Sequence, residues 1–239
     1  MKYFELDNTQ KNNAALVNKE LIKIGLTNPY LRAGNLAVVA KETGFIPRWE
    51  DSYSTTSARR IANIFGYSIF GIKPPQTPQE LDLALTKIDI IKKNDESFFN
   101  MIYNRPIDLG NTEIGDGYKF RGGGFNQLTG RANYKANSTP EFDLIANPGL
   151  INTPECAAIV NAKFTRNSIV HGQRLGLMFI RFGIFVTSQI SKIETGAKIA
   201  HQANMGWKYP VESDPTGGWQ KTQRDAITYL DFCINNSKA

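Results

Sequence analysis

The sequence predicts a mainly α-helical protein with few or no short strands. Apolar residues recur at helical spacing in most segments, whereas the alternating patterns typical of strands are sparse and no internal repeat is visible. Four segments begin with a capping residue followed by proline, which is typical of a helix start: Asn28-Pro29, Thr77-Pro78, Thr139-Pro140 and Thr153-Pro154. A chain of 239 residues with 41% hydrophobic content suits one globular domain, which we assign to residues 1–239.

The predicted helices follow one another along the whole chain. They cover residues 8–25, 29 to the turn before Gly44, 58–65, 78–91, 97–103, a segment after Thr139-Pro140, 154–166, 175–201 as one or two helices, and 222–233. Gly44 is expected to end the second helix in a left-handed conformation. We expect Ser54 or Thr55 to cap the third helix, and Thr77 with Glu80 to form a capping box for the fourth.

Composition restricts the classes of partner and cofactor. The formal net charge is +6, and the chain has no run of five like charges, so the positive charge is spread over the sequence. A diffuse positive charge suits an anionic partner such as a bacterial wall polymer, nucleic acid or membrane headgroups. The alternative is that the charge serves solubility alone. Cys156 and Cys233 lie in apolar helical contexts, so we expect two buried free thiols. His171 and His201 are isolated and are expected to be structural. No cluster has metal-ligand spacing, and we expect no metal or cofactor.

The sequence contains no evident targeting or membrane segment. The N-terminal stretch MKYFELDNTQ lacks the apolar core of a signal peptide. The most apolar run, residues 175–186, is interrupted by Arg181 and is too short to span a bilayer. We therefore expect synthesis in a cytoplasm without an encoded export route, and no stable membrane insertion.

Two glutamates flank a short loop near the end of the second helix. Glu42 falls in the last turn, where the negative end of the helix dipole favours a protonated carboxyl group. Glu50 follows after a loop that contains proline and aromatic residues. Such a pair can face each other across a gap, where one acid protonates a leaving oxygen and the other activates water. Asp51 and Asp116 remain alternatives to Glu50, and Glu42 alone could be an ordinary solvated helix-end residue.

A glycine-rich segment leads into a dense polar cluster at residues 115–134, GDGYKFRGGGFNQLTGRANY. Glycine lets a ligand approach the main chain, although a tight irregular loop or short hairpin would use the same residues. The spacing does not fit a phosphate-binding loop. The side chains of Gln127, Thr129, Arg131 and Asn133 suit sugar binding, but they also suit a polar helix start that Thr129 caps.

Together these motifs resemble the family 19 glycoside hydrolases, the chitinase-like family that includes plant chitinases and many phage endolysins. Residues 41–45 resemble the sequence H-E-S-G-F with which a helix of the family ends. Glu50 resembles the family's second glutamate, and residues 53–54 resemble the Y-S that follows it. Residues 103–105 resemble the family's Y-x-N-R, and residues 147–150 resemble its N-P-x-L. Residues 115–134 resemble its long motif G-D-G-x-x-F-R-G-R-G-x-x-Q-L-T-G-R-x-N-Y. Weaker matches lie at residues 204–206 and at Arg224. The resemblance covers residues 28–232 and leaves residues 1–27 as an N-terminal helical segment.

The resemblance implies a lysozyme-like helical fold with a central substrate cleft and an inverting hydrolysis. It implies that Glu42 is the general acid, that Glu50 is the general base, and that Thr129 helps to hold the attacking water. It also implies that Gln127, Asn133 and Asn204 bind sugar, and that Arg224 lies near the acid and tunes it. We add Tyr103, Arg105 and Arg131 to the expected substrate-binding residues, and we include Arg224 among them.

Four departures from the family pattern affect this assignment. Lys41 stands where the family has histidine, and Gly123 replaces the second arginine of R-G-R-G. The loop from Glu42 to Glu50 is one residue shorter than the endolysin pattern. Residues 165–196 fit poorly and suggest an insertion or a diverged helix pair.

The function expected from this resemblance is that of an endolysin or virion-associated lysin. It would cut the β-1,4 glycan of bacterial peptidoglycan as a monomer, without a nucleic-acid partner. It would move from the host cytoplasm to the wall or periplasm with a holin-type partner, or arrive with the virion. The alternatives are a chitinase on the same fold and a tail protein that binds glycan with weak or no activity.

Overall fold

The computed structural model describes residues 1–70, 75–174, 190–205 and 218–237. The protein is mainly helical, as the sequence predicted, and the β structure in these ranges is one isolated antiparallel bridge between Gly123 and Leu128. No helix within the same ranges is both long and apolar enough to cross a membrane. The predicted apolar run at residues 175–186, and most of the predicted loop at 204–218, lie outside the described residues.

Eleven helices are described, and two short 3-10 helices occur at Tyr3–Glu5 and Pro148–Asn152. The helices are α1 (Asn8–Lys23), α2 (Pro29–Glu42), α3 (Ala58–Phe70), α4 (Pro78–Ile91), α5 (Asp95–Tyr103), α6 (Pro106–Leu109), α7 (Asp116–Lys119), α8 (Arg131–Asn137), α9 (Pro154–Arg174), α10 (Ile193–Asn204) and α11 (Gly218–Asn235). The chain forms two compact units. The first contains Met1–Arg48, Gly124–Asn126 and Leu150–Ala239, and the second contains Trp49–Gly123 and Gln127–Gly149.

The predicted caps of α2 and α4 are confirmed. The Asn28 side chain accepts hydrogen bonds from the backbone N–H groups of Tyr30 and Leu31, which would otherwise lack partners. Thr77 and Glu80 form the reciprocal capping box before α4. Gly44 adopts a left-handed conformation with φ of 60° directly after α2, so Glu42 is the last residue of that helix.

Two local predictions are wrong. The residue that caps α3 is Ser57 rather than Ser54 or Thr55, because the Ser57 carbonyl oxygen accepts from Ile61 N–H at 3.0 Å. No helix follows Thr139-Pro140. There Thr139 and Phe142 exchange backbone hydrogen bonds, and the Asp143 side chain accepts from the N–H groups of Ile145 and Ala146. Side-chain bonds of this local kind compete with helix formation.

Helix α2 forms the centre of the first unit. Every residue from Leu31 to Ala40 is buried, and α10 and α11 pack against it. The contact with α10 depends on glycine, because a Cβ at Gly34 would lie 2.7 Å from the Ala197 Cα atom. A Cβ at Gly196 would lie 2.3 Å from the Tyr30 carbonyl oxygen. These two glycines allow α2 and α10 to approach closely.

Several polar residues and both cysteines are buried in the first unit. Arg32 donates to the carbonyl oxygens of Cys233 and Asn236, at the end of α11 where carbonyl groups lack helical partners. His201 lies in the core with Nδ1 at 3.2 Å from the Thr222 hydroxyl. Cys156 and Cys233 are buried free thiols, as predicted.

The core of the second unit contains five rings that we call the aromatic cluster: Tyr53, Phe65, Phe98, Phe99 and Tyr103. The Tyr53 ring meets Phe65 edge-on, with centroids 5.2 Å apart. The Tyr103 ring lies nearly parallel to Phe99, with centroids 6.0 Å apart and an interplanar angle of 9°. Offset and edge-on packing of this kind is favourable beyond the area it buries.

Candidate functional site

Glu42 ends α2 in the first unit, and its carboxylate has two polar neighbours among the described residues. The Lys41 ammonium lies 2.8 Å from Glu42 Oε1, and Asn204 Nδ2 donates to the same oxygen at 3.5 Å. Asn204 is the last residue of α10, so the close α2–α10 contact brings its amide to the end of α2. Arg224, which the resemblance pairs with the acid, is exposed on α11, and the ion pair described for Glu42 is with Lys41.

The backbone that follows Glu42 turns through two consecutive left-handed residues, Gly44 and Phe45, with φ of 60° and 61°. Such a conformation costs a residue other than glycine about 1–3 kcal/mol. Complete burial of the Phe45 ring offsets that cost, and so do two hydrogen bonds from α1. Gln10 donates to the Gly44 carbonyl and Asn13 donates to the Phe45 carbonyl, both at 2.8 Å. Helix α1 therefore fixes the turn that leaves Glu42.

Glu50 lies in the second unit, where two hydroxyl donors hold its half-buried carboxylate. The Tyr53 hydroxyl donates to Oε1 at 3.0 Å, and the Tyr103 hydroxyl donates to Oε2 at 2.7 Å. The nearby backbone N–H of Gly122 also lowers the pKa of this carboxyl group. The Glu50 backbone N–H in turn donates to the Gly122 carbonyl at 2.7 Å, so the main chain on either side of this residue is fixed as well.

Burial and hydrogen bonding act on the pKa of Glu50 in opposite directions. Burial raises the pKa and outweighs the lowering by the Tyr103 and Tyr53 hydroxyls, the Gly122 N–H and the Arg121 guanidinium. Burial, followed by the nearby Glu50 charge, also raises the pKa of both tyrosines above that of an ordinary phenol. Both phenols therefore remain protonated donors at neutral pH, beside a carboxyl group whose proton affinity is increased.

Gly122 leaves space for the polar side chains around Glu50. A Cβ at Gly122 would lie 3.0 Å from Gln127 Oε1 and 3.1 Å from Glu50 Oε2, so both side chains border this glycine. Gly123 and Leu128 exchange backbone hydrogen bonds at 2.9 and 3.1 Å, which closes a tight turn. Gln127 lies in that turn with φ of 52°, an uncommon conformation that orients its side chain.

Thr129 and Asn133 stabilise the chain that follows this turn. The Thr129 hydroxyl donates to the Gln127 carbonyl at 3.0 Å, and Asn133 Nδ2 donates to the Thr129 carbonyl at 2.7 Å. Helix α8 begins after Gly130, which has φ of 94°, so the alternative in which Thr129 caps the helix is wrong. Thr129 is half-buried in the same unit as Glu50 and Gln127.

Arg131 and Asp116 form a two-bond ion pair. Arg131 Nε and Nη2 donate to the two carboxylate oxygens at 2.7 and 2.6 Å, and Asp116 is only 2% exposed. Burial would raise the Asp116 pKa, but the hydrogen bonds from Arg131 and from backbone N–H groups outweigh it and lower the pKa. The guanidinium that we predicted to bind substrate thus ties α8 to α7, and the alternative acid Asp116 is occupied by this pair.

Two further predicted residues have partners within the second unit. Arg105 donates to the Asp108 carboxylate, with Nε at 3.1 Å, and the Tyr103 hydroxyl is engaged by Glu50. Sequence reasoning missed Tyr53 and Arg121 as neighbours of Glu50, although both lie in motifs that we quoted. The Arg121 guanidinium lies 4.2 Å from the centroid of the Trp49 ring.

Within the described residues, no group of three or more histidine, cysteine, aspartate or glutamate side chains could hold a metal ion. Comparison with known proteins found no protein-family profile that matches the chain and no significant match among curated proteins.

Proposed function

We propose that this protein is a glycoside hydrolase of the endolysin type, with a lysozyme-like, chitinase-like helical fold, that cleaves the β-1,4 glycan of peptidoglycan. The setting of Glu50 is the observation that carries the proposal. Two tyrosine hydroxyls orient this carboxylate, and Gln127 lies beside it. A carboxylate oriented in this way, next to an amide that can bind sugar hydroxyls, suits the base of a hydrolase.

The proposed mechanism divides two tasks between two glutamates. Glu42 would protonate the leaving oxygen, and Asn204 would orient its carboxyl group. Glu50 would take a proton from the attacking water, with Thr129 as a further contact for that water. Inversion requires the two carboxyl groups to be about 6.5–9.5 Å apart, so that a water fits between base and sugar. The raised pKa of Glu50 makes it a stronger base once ionised, and activity should increase as Glu50 ionises.

The net charge of +6 supports an anionic polymer as substrate. Peptidoglycan carries carboxylates along its whole length, whereas chitin is uncharged, so this charge favours wall over chitin. In this proposal a holin-type membrane protein or a virion gives the enzyme access to the wall or periplasm.

Mass spectrometry of glycan fragments released from purified sacculi tests the proposal. The wild-type protein should release saccharides with new reducing ends, whereas Glu42→Gln and Glu50→Gln should each reduce release by about 10²–10⁴-fold. Glu141→Gln is the matched control, because Glu141 is an exposed glutamate of the second unit. Release from chitin oligomers but not from sacculi would establish a chitinase instead. Wall binding without release by any variant would show a glycan-binding protein.

A further inference from the structure

The Glu50 carboxylate has a specific pattern of occupied hydrogen-bond positions. Its two oxygens together offer about four acceptor positions. Tyr53 occupies one on Oε1, and Tyr103 occupies one on Oε2. Within the described residues, these two side-chain hydrogen bonds leave about one acceptor position on each oxygen.

We propose that Tyr53 and Tyr103 are positioning residues that fix the plane of the Glu50 carboxylate and leave one acceptor position on each oxygen, one of which binds a water molecule. This inference rests on the proposed hydrolase function for the identity of that water as the reactant. The positioning itself depends only on contacts within the second unit.

The rings that carry the two hydroxyls have little freedom to move. Tyr53 packs against Phe65 and Phe98, with centroids at 5.2 and 5.3 Å. Tyr103 lies parallel to Phe99 and meets Phe65 edge-on, with centroids at 6.0 and 6.2 Å. Phe65 thus contacts both tyrosines, and a close-packed core resists the rotation that would withdraw either hydroxyl. Each hydroxyl is therefore aimed at a different carboxylate oxygen by packing.

The two hydroxyls also act on the proton affinity of Glu50. Both donate to the ionised form and so stabilise it against the burial that destabilises it. Replacing a tyrosine with phenylalanine keeps the ring and removes only this donor. The pKa of Glu50 should then rise, and the carboxylate should gain a further open acceptor position, so that water binds in more than one arrangement.

Direct titration of Glu50 tests the proposal independently of catalysis. Carbon-13 labelling of glutamate side chains, with Glu50→Gln to assign the signal, gives the pKa of Glu50 by NMR. Tyr53→Phe and Tyr103→Phe should each raise it by about one unit, because a hydrogen bond to a charged group has that magnitude. Tyr118→Phe is the matched control. Tyr118 also packs on Phe99, but its hydroxyl does not bond to Glu50, so the pKa should stay at the wild-type value.

Kinetics on solubilised glycan provide the second readout. Each of the two variants should lower kcat about tenfold with KM changed less than twofold, and should move the acid limb of the pH–rate profile upward by the same amount as the NMR titration. An unchanged Glu50 pKa in both phenylalanine variants would overturn the positioning proposal, whatever their activity. A shifted pKa in a protein that cleaves no glycan would support the positioning and reject the proposed function.

Discussion

The substitution Gly196→Ala tests whether the close contact between α2 and α10 holds Asn204 beside the Glu42 carboxylate. The new methyl group would lie 2.3 Å from the Tyr30 carbonyl oxygen and 2.4 Å from its carbon. Both atoms belong to the backbone of α2, so no side chain can move aside. Restoring an ordinary contact near 3.4 Å requires the helices to separate by about 1 Å.

Overpacking of this kind costs about 1–3 kcal/mol, and in a chain of this length each kcal/mol lowers the Tm by roughly 2–4 °C. We therefore expect Gly196→Ala to lower the Tm by about 2–12 °C in a calorimetric scan. The same displacement should break the contact of Asn204 with Glu42, which is already 3.5 Å long. Activity on sacculi below the Tm should fall by about ten- to a hundredfold, because misplacement by 1 Å is costly in catalysis.

Gly66→Ala provides the control. Gly66 lies in α3, where the nearest atom to an added Cβ is a Phe70 side-chain carbon at 3.7 Å. That substitution should leave activity unchanged and should not lower stability, since alanine is the better helix former. Equal Tm values and activities for Gly196→Ala and the wild type would refute the account of this helix contact.

Three further substitutions test buried polar groups. The pKa of Glu50 is raised in the folded state, so the folded protein binds the Glu50 proton more tightly than the unfolded chain does. This contribution to the free energy of unfolding is fully present below pH 4 and is lost as the pH rises through the folded-state pKa. The stability of Glu50→Gln relative to the wild type should therefore increase from pH 4 to pH 7 in urea denaturation. Asp116→Asn should cost about 1–3 kcal/mol at pH 7, because it removes the charge-assisted bonds to the partly exposed Arg131, and the cost should shrink in acid as the lowered Asp116 pKa is passed. Asn126→Leu should stabilise the protein by about 1–3 kcal/mol in the same assay, because both amide atoms of Asn126 are buried and have no hydrogen-bond partner within the described residues.

Local chemistry explains why the helix boundaries could be predicted. Asn28, Thr77 and Gly44 act on groups within four residues of themselves, so their roles follow from sequence alone. Thr139-Pro140 has the same two-residue signal. It fails because the following Asp143 offers its own acceptor to neighbouring N–H groups, which stabilises a turn.

The surroundings of the candidate acids could be predicted less completely. The bond from Tyr103 to Glu50 joins residues 53 positions apart, and no spacing rule indicates it. The resemblance suggested a substrate contact for Tyr103, whereas its hydroxyl is bound to Glu50. Arg131 likewise seemed suited to a sugar, but its pairing with Asp116 arises from the packing of α7 and α8 within the unit. Sequence indicates which residue types gather at a site, and tertiary packing decides which of them remain open to a ligand.

The assignment of Glu42 as acid and Glu50 as base in an inverting hydrolysis is tested most directly by the anomer of the first product. Proton NMR of freshly cleaved β-1,4 glycan, recorded before mutarotation, should show the α-anomer for the wild type and about 10²–10⁴-fold slower product formation for Glu42→Gln or Glu50→Gln. A first product in the β-anomer, or cleavage by either variant at the wild-type rate, would contradict the assignment.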